Sequence, residues 1–430
     1  MEEENANQKI RGVICGHFLI DIYTPVLSLI LPLLIAQMNL SYFLAGLIVT
    51  VFNVTSSVSQ PFIGLYGDKT GWRASVPLCL VIGSVGISLT AVSGNYLLLL
   101  FLAAGAAVGH ALFHPAAMNI MYSLSPPAKR GLYNSIFTTS GSIGYAIGPV
   151  LAGILIAAGG LPAVAWLVIP GIVGATWMYR NNRKYRPAPS APVAEKKQMP
   201  EKPAEAAAKK KYWWVPAGLV VSICSLRAWA YIGIITYLPT LLVLGHHGLD
   251  TFTTSIVVTV MLFFGVAGQV AGGYLSDRFG RKEMLVLGLA GAIPFFALIF
   301  STNELLMYLG VMMYAFFASS CYVMSVTMTQ DLLPGNVGFA SGLTLGFSMG
   351  VGGGLGAAAI GWAACMSPAA AARSRCPAMR RYPPTRHPLA AEAACMSSPT
   401  ARSRCRTELS PTTSQPAAAC LSKAATAGSR

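Results

Sequence analysis

The sequence predicts an all-α polytopic membrane protein made of two pseudo-symmetric halves of six helices, with eleven transmembrane helices recognisable and the twelfth missing. The first observation behind this is composition. Of the 430 residues, 54% are hydrophobic, 10% are charged and 43 are glycine, whereas an ordinary soluble domain carries about 25% charge. The second is run length: apolar stretches recur that are long enough to span a bilayer as helices, which takes about 20 residues, while barrel strands would alternate over about ten. The third is a repeat. The segment GLYGDKTGWR, Gly64 to Arg73, returns as GYLSDRFGRK, Gly273 to Lys282, each time at the end of a long apolar run.

In chain order the runs lie near 13–36, 42–66, 74–93, 95–122, 131–158 and 161–179, then 213–244, 251–276, 283–301, 304–333 and 337–362. The first lacks a small-residue cleavage site after a short apolar core, so it is expected to be a retained span. The flanks repeat as well. Leu31-Pro32 returns as Leu238-Pro239, and Gly144, Gly148 and Gly153 share the spacing of Gly352, Gly356 and Gly361. By that repeat the run 337–362 matches 131–158, and the counterpart of 161–179 is absent. The halves are therefore 1–179 and 212–362. Residues 180–211, rich in Pro, Ala, Lys and Glu, cannot bury enough apolar surface to fold alone and are expected to form a disordered cytoplasmic linker touching lipid headgroups. Two copies of one helical unit describe a transporter.

The formal charge of +15 suggests nucleic acid until the positions are read. Before residue 363 there are twenty Lys and Arg. Threading the helices from an inside N-terminus puts nineteen of them inside: Lys9, Arg11, Lys69, Arg73, Lys129, Arg130, ten between Arg180 and Lys211, then Arg278, Arg281 and Lys282. This is the positive-inside pattern of a cell-membrane protein with a cytoplasmic N-terminus. It excludes a nucleic-acid footprint. The twentieth base, Arg227, lies inside a span.

After Trp362 the composition changes. Residues 363–430 carry ten Lys or Arg against two acids, and the strings AACMS and ARSRC each occur twice. Eleven spans would leave this basic tail outside, against the charge bias. It is read as a frameshift product, with a natural disordered extension as the alternative. Its cysteines, Cys365, Cys376, Cys395, Cys405 and Cys420, follow no zinc or disulfide pattern. Cys15, Cys79, Cys224 and Cys321 lie in apolar runs as small packing residues.

The repeated segment reads G-x-x-x-D-[RK]-x-G, with Gly64, Asp68, Gly71 and Arg73 in one copy and Gly273, Asp277, Arg278, Gly280 and Arg281 in the other. Gly permits close helix contact and a sharp turn, Asp faces a positive helix N-terminus, and the bases hold the loop inside. On these two copies the chain resembles the major facilitator superfamily over residues 12–362. The resemblance implies two six-helix bundles around a central cavity, alternating access by rocking, and a role for Asp68 and Asp277 in locking one gate against the opposite half. The first copy departs from the pattern, with Lys69 for Arg and Trp72 where a base is common. The fifth run, GSIGYAIGPVLAG, places Gly141, Gly144, Gly148, Pro149 and Gly153 at helix-packing spacing, and resembles the fifth-helix motif of drug/proton antiporters. Plain close packing explains that spacing equally. No Walker-type phosphate loop is present.

An ionisable group in a span costs about 2.5–3.5 kcal/mol on insertion scales, so each needs a reason. GHFLID sets His17 and Asp21 four apart on one helix face, and GHALFHPAAMN does the same for His110 and His114, with Asn119 following. Arg227 stands in LRAWAYIGIITYLPTLL. These strings resemble the fosmidomycin-resistance branch of the superfamily. Some members carry an acid directly after FHP, where this chain has Ala116. The resemblance implies export of a phosphonate antibiotic or other small organic anion in exchange for protons.

A proton carrier must change charge near ambient pH, which suits Asp21, His17 and His114 as proton-coupling residues. Arg227 is a fixed cation for a phosphonate or carboxylate, with His110, Asn119 and Gln60 as further substrate-binding candidates. An Asp21–Arg227 or Asp21–His pair that only stabilises packing is the plainer alternative. Zinc at His110 and His114 lacks specified further ligands. No nucleophile–base set is present, so the protein is expected to be a monomeric transporter, not an enzyme. Its partners are then a small molecule, protons and membrane lipids, with no cofactor, metal or nucleic acid. A facilitator or importer of an organic anion or sugar, or a truncated inactive transporter, are the other readings.

Overall fold

Long apolar runs in a lipid-like surrounding can satisfy their backbone polar groups only by bonding within themselves, so they fold as helices. The computed structural model describes residues 2–70, 72–126, 130–182, 214–245, 247–332 and 342–365. These fall in one compact unit, Met1–Ser367. The amino-terminal group comprises α1 (Glu2–Tyr23), α2 (Val26–Met38), α3 (Tyr42–Thr70), α4 (Val76–Thr90), α5 (Tyr96–Leu124), α6 (Arg130–Gly159), a 3-10 turn at Leu161–Leu167 and α7 (Val168–Asn182). The carboxy-terminal group comprises α8 (Trp214–Leu244), α9 (Thr251–Phe279), α10 (Arg281–Leu298), α11 (Glu304–Leu332), and a π-helical stretch, Gly342–Gly353, that runs into α12 (Gly354–Cys365).

Among the described residues nine helical segments are long and apolar enough to cross a membrane. Two of the eleven predicted runs are not among them. The helix over 74–93 is 15 residues long, and α10, in the run 283–301, opens on Arg281, Lys282 and Glu283. Large apolar side chains point outward along the flanks: Leu97, Phe101 and Leu305 are 74%, 72% and 76% exposed. Such a surface suits lipid rather than water. The chain is a multi-pass membrane protein.

Side chains set several ends. Asn95 caps α5, its Oδ1 accepting from the Leu97 and Leu98 amides at 2.8 and 3.2 Å. Asp250 caps α9 by accepting from Phe252 and Thr253 at 2.9 and 3.0 Å. Thr24 and Pro25 interrupt the first span between α1 and α2.

Each group has its own apolar core, and each core takes in one alanine from the other group. Ala357 of α12 joins the amino-terminal core, and Ala146 of α6 joins the carboxy-terminal one. The repeated glycines explain how these two helices reach that far. A methyl on Gly144 or Gly148 would strike the Phe18 or Ile22 carbonyl of α1, and one on Gly352 or Gly356 would strike Ser225 or Trp229 of α8. The third glycine of each trio instead abuts the opposite group. Gly153 lies on Ser255 of α9, and Gly361 on the Tyr42 carbonyl of α3 together with the Tyr237 hydroxyl of its own α8. The sequence repeat is thus a repeat of packing roles: two glycines seat the helix on the first helix of its own group, and the third seats it on the other group.

Hydrogen bonds between the groups gather toward the end where α2 and α8 finish. Thr50 Oγ1 donates to Gly354 O at 2.6 Å, Tyr237 Oη to Tyr42 O at 2.9 Å, and the Val150 amide to Thr259 Oγ1 at 3.1 Å. Val150 follows Pro149, which supplies no amide and disturbs the local helical ladder. At the opposite end the repeated segments are helical where loops were expected. Asp68 lies in the last turn of α3, and Asp277 and Arg278 in that of α9. The turn after α9 falls on Gly280, whose φ of 98° favours glycine. A Cβ on Gly64 or Gly273 would meet nothing, whereas Gly67 and Gly272 beside them sit hard against Arg73 and Ser320. The close contact expected of these motifs is made one or three residues away. Gly71, the side chains of Asp68 and Asp277, the linker beyond residue 182, and the tail from residue 366 with its question of a twelfth span lie outside the described residues.

Candidate functional site

Four ionisable side chains predicted on two separate helices converge on one point. The α-helical period puts His17 above Asp21 on α1 and His110 above His114 on α5. Asp21 then receives three imidazoles. Its Oδ2 lies 3.2 Å from His17 Nε2, and its Oδ1 lies 3.0 Å from His110 Nε2 and 3.8 Å from His114 Nε2. The side chains are 8% to 20% exposed, so the cluster is largely removed from solvent. His110 and His114 also approach through their Nε2 atoms at 3.3 Å. That contact needs a proton on one ring and a lone pair on the other.

The third wall is α6. His17 Nδ1 lies 2.7 Å from the Phe137 carbonyl, which it can only donate to, so the approach of its Nε2 to Asp21 needs a second proton, on the ring or on the carboxyl. The Phe137 ring stacks on His17 at 4.0 Å between centroids. Ser140 Oγ lies 3.1 Å from Ile14 O and 2.7 Å from Phe137 O, its single proton donated to one or shared between them, tying α6 to α1 one turn away. Gly141 leaves the space that the His17 ring and the Asp21 carboxylate occupy. Thr24 Oγ1, at the break after α1, lies 3.2 Å from His110 Nε2. None of Phe137, Ser140 or Thr24 was singled out in the sequence. Only the Thr24-Pro25 break offered a signal, because a helix interrupted in mid-membrane exposes polar groups that function uses.

Ligand atoms of His17, Asp21 and His114 lie within 4.8 Å of one another, a spacing that a small divalent ion can also span.

In the other group Arg227 is buried at 8% exposure on α8. Its Nη1 donates to Ala318 O at 3.3 Å, and its Nη2 faces Met349 Sδ at 3.6 Å. The guanidinium lies 4.9 Å from the Tyr322 ring centroid and 6.0 Å from that of Tyr231. Among the described residues its Nε has no hydrogen-bond partner and no carboxylate pairs with it. The packing-only Asp21–Arg227 pair is not formed; Asp21 is held by histidines within its own group.

Between the groups a crevice is lined by Thr24, Ser28, Asn53 and Tyr145 from the amino-terminal group and by Ile232 and Thr236 from the carboxy-terminal group. It adjoins the cluster through Thr24. Two of the predicted substrate-binding residues lie elsewhere. Asn119 is exposed on α5 and lines a separate hollow with Gly67, Trp72 and Arg73. Gln60 is half-buried on α3, beyond the crevice-lining Asn53. Of that predicted set, His110 belongs to the carboxylate cluster and Arg227 stands alone.

A family model described as Major Facilitator Superfamily matches residues 13–357. The chain is similar to the fosmidomycin resistance protein of Escherichia coli (strain K12), 28% identical over 358 residues that cover 80% of this chain and 84% of that one. It is likewise similar to an uncharacterized MFS-type transporter, YfnC, of Bacillus subtilis (strain 168), at 28% identity over 350 residues covering 80% and 83%. Among solved structures, a bacterial homolog of the human lysosomal transporter Spinster, inward-facing and occupied, superposes with a TM-score of 0.72 at 18% identity, covering 92% and 90%. The xylose transporter XylE from E. coli, inward open, gives 0.63 at 16% identity, covering 84% and 89%. These structural likenesses concern the fold alone. With the family model spanning most of its length, the chain belongs to the Major Facilitator Superfamily.

Proposed function

We propose that the protein is a proton-coupled exporter of a small organic anion of the fosmidomycin type, working as a monomer by alternating access in the cell membrane with its N-terminus cytoplasmic. The observation that carries this reading is the division of charge between the groups. One holds a carboxylate ringed by three imidazoles, and the other a buried guanidinium with no carboxylate partner among the described residues. The first arrangement offers a proton several sites within 3.8 Å of Asp21. The second has an unused Nε beside a weakly engaged Nη2, an edge suited to two oxygens of a phosphonate or carboxylate. Similarity to the fosmidomycin resistance protein supports the substrate class. The positive-inside pattern supports the orientation.

The test is Asp21→Asn in proteoliposomes. Efflux driven by a pH gradient is expected to vanish while the protein still inserts, and retained coupling would remove Asp21 from the mechanism. Expression in sensitive cells, beside a panel of unrelated drugs, is expected to raise resistance to phosphonates alone. If substrate moves without any proton movement, the protein is instead a facilitator of an organic anion.

A further inference from the structure

Tyr237 lies in the string that carries the family resemblance, two residues before Pro239, yet the transport reading gives it no part. Its hydroxyl is 2.9 Å from two main-chain carbonyls, those of Tyr42 in the amino-terminal group and Ala357 in the carboxy-terminal group. A phenol has one proton to donate, so one bond is made fully at a time or the proton is shared. The space for the hydroxyl comes from two glycines, one in each group. A Cβ on Gly46 or on Gly361 would collide with the Tyr237 oxygen. Two carbonyls and two glycines therefore form a socket that closes only when the groups meet. The other cross-group bonds nearby, from Thr50 and to Thr259, likewise pair a neutral hydroxyl with a main-chain group.

We propose that Tyr237 is the latch of the gate at this end of the bundle, opposite the basic segments around Asp68 and Asp277. The proposal rests on the alternating-access reading. With the groups apart, Ala357, which moves with Tyr237, keeps the phenol aimed at the gap. On closure the hydroxyl turns its hydrogen bond to Tyr42 or shares it between the two carbonyls, so the cross-group bond forms without a search for the ring's orientation. Opening then strands no buried donor, because the hydroxyl donates to the Ala357 carbonyl again. The gate carries no charge at this point, and the latch works independently of the proton taken up at Asp21.

The experiment is a distance measurement between spin labels on Gly94→Cys and Thr302→Cys, two exposed positions at the gated end, one in each group. The full-length chain is used with its own cysteines replaced. Tyr237→Phe removes one cross-group hydrogen bond, while water entering the open socket replaces the bond to Ala357. The population at longer distance is therefore expected to rise about fivefold, the equivalent of one net hydrogen bond. Gly46→Ala, which places a methyl where the hydroxyl sits, is expected to shift the distances the same way. Proton binding should be unchanged in both. If the parent responds to pH or substrate but both variants keep its distance distribution, Tyr237 is not the latch. If the parent shows one unresponsive distance, alternating access itself fails and the latch falls with it.

Discussion

A methyl group at position 141 would lie 2.5 Å from both His17 Nε2 and Asp21 Oδ2, closer than real contacts allow. Gly141→Ala is therefore expected to push the carboxylate and the imidazole apart. Proton-driven transport should fall at least tenfold, with insertion and yield near normal; a variant that transports at the parent's rate would show that the cluster geometry is not needed. Arg227→Lys probes the other group. It keeps a cation but loses the planar fork, so the substrate KM should rise about tenfold or more, with pH dependence unchanged. At this scale the sequence was partly legible. Ionisable residues in apolar runs are conspicuous because they are costly, and four-residue spacing paired His17 with Asp21 and His110 with His114. That the two pairs meet is a tertiary fact with no local trace. The same is true of Phe137, which contributes a carbonyl that every residue possesses. Asn119 lies apart from the cluster, and polarity next to a histidine motif does not say which way a helix faces.

Helix ends and helix faces form the next scale, and here sequence rules transfer well. Asp250 is the N-cap of α9, and the hydroxyl of Thr253, with the Thr253 and Phe252 amides, holds its carboxyl below the usual carboxylate range. A folded-state pKa below the unfolded value of about 3.9 means stability that is present above that pH and lost as pH falls through the folded value. Asp250→Ala should cost about 1 kcal/mol at pH 7. In detergent the melting temperature would drop by roughly 1–2 °C, and the difference should narrow as pH falls below about 4. A gap that stays constant with pH would assign the loss to something other than the carboxylate. The repeated segments were read as loops because glycine and charge mark turns. The structure carries helix through Thr70 and Phe279 instead, and leaves the turn to residues such as Gly280. Charged residues at a membrane edge lose nothing by staying helical in water, so the end of an apolar run does not mark the end of its helix.

The whole molecule is organised by the trio of glycines that recurs in α6 and in the π-helical stretch with α12, and their roles make a prediction that single residues do not. The first two of each trio lie within a group, against α1 or α8, while the third also reaches the other group, at Ser255 or Tyr42, with Gly361 abutting the Tyr237 hydroxyl of its own group as well. Spacing alone made the two trios comparable. It did not reveal this division of labour, because which neighbour a glycine touches depends on how the groups dock. Leucine at Gly144 or Gly352 should prevent a helix from seating on its own group and so reduce the folded yield. Leucine at Gly153 or Gly361 should wedge the groups apart at the gated end, at Gly361 also by displacing the Tyr237 hydroxyl that bridges them. The latter two variants are then expected to insert and melt like the parent, to bind substrate, and to lose at least tenfold in transport rate. They should resemble each other more than either resembles its chain neighbour. Yield, melting temperature and transport measured on the four variants together check this. If the variants instead pair by helix, with Gly144 like Gly153 and Gly352 like Gly361, the two trios share a spacing without sharing a mechanism.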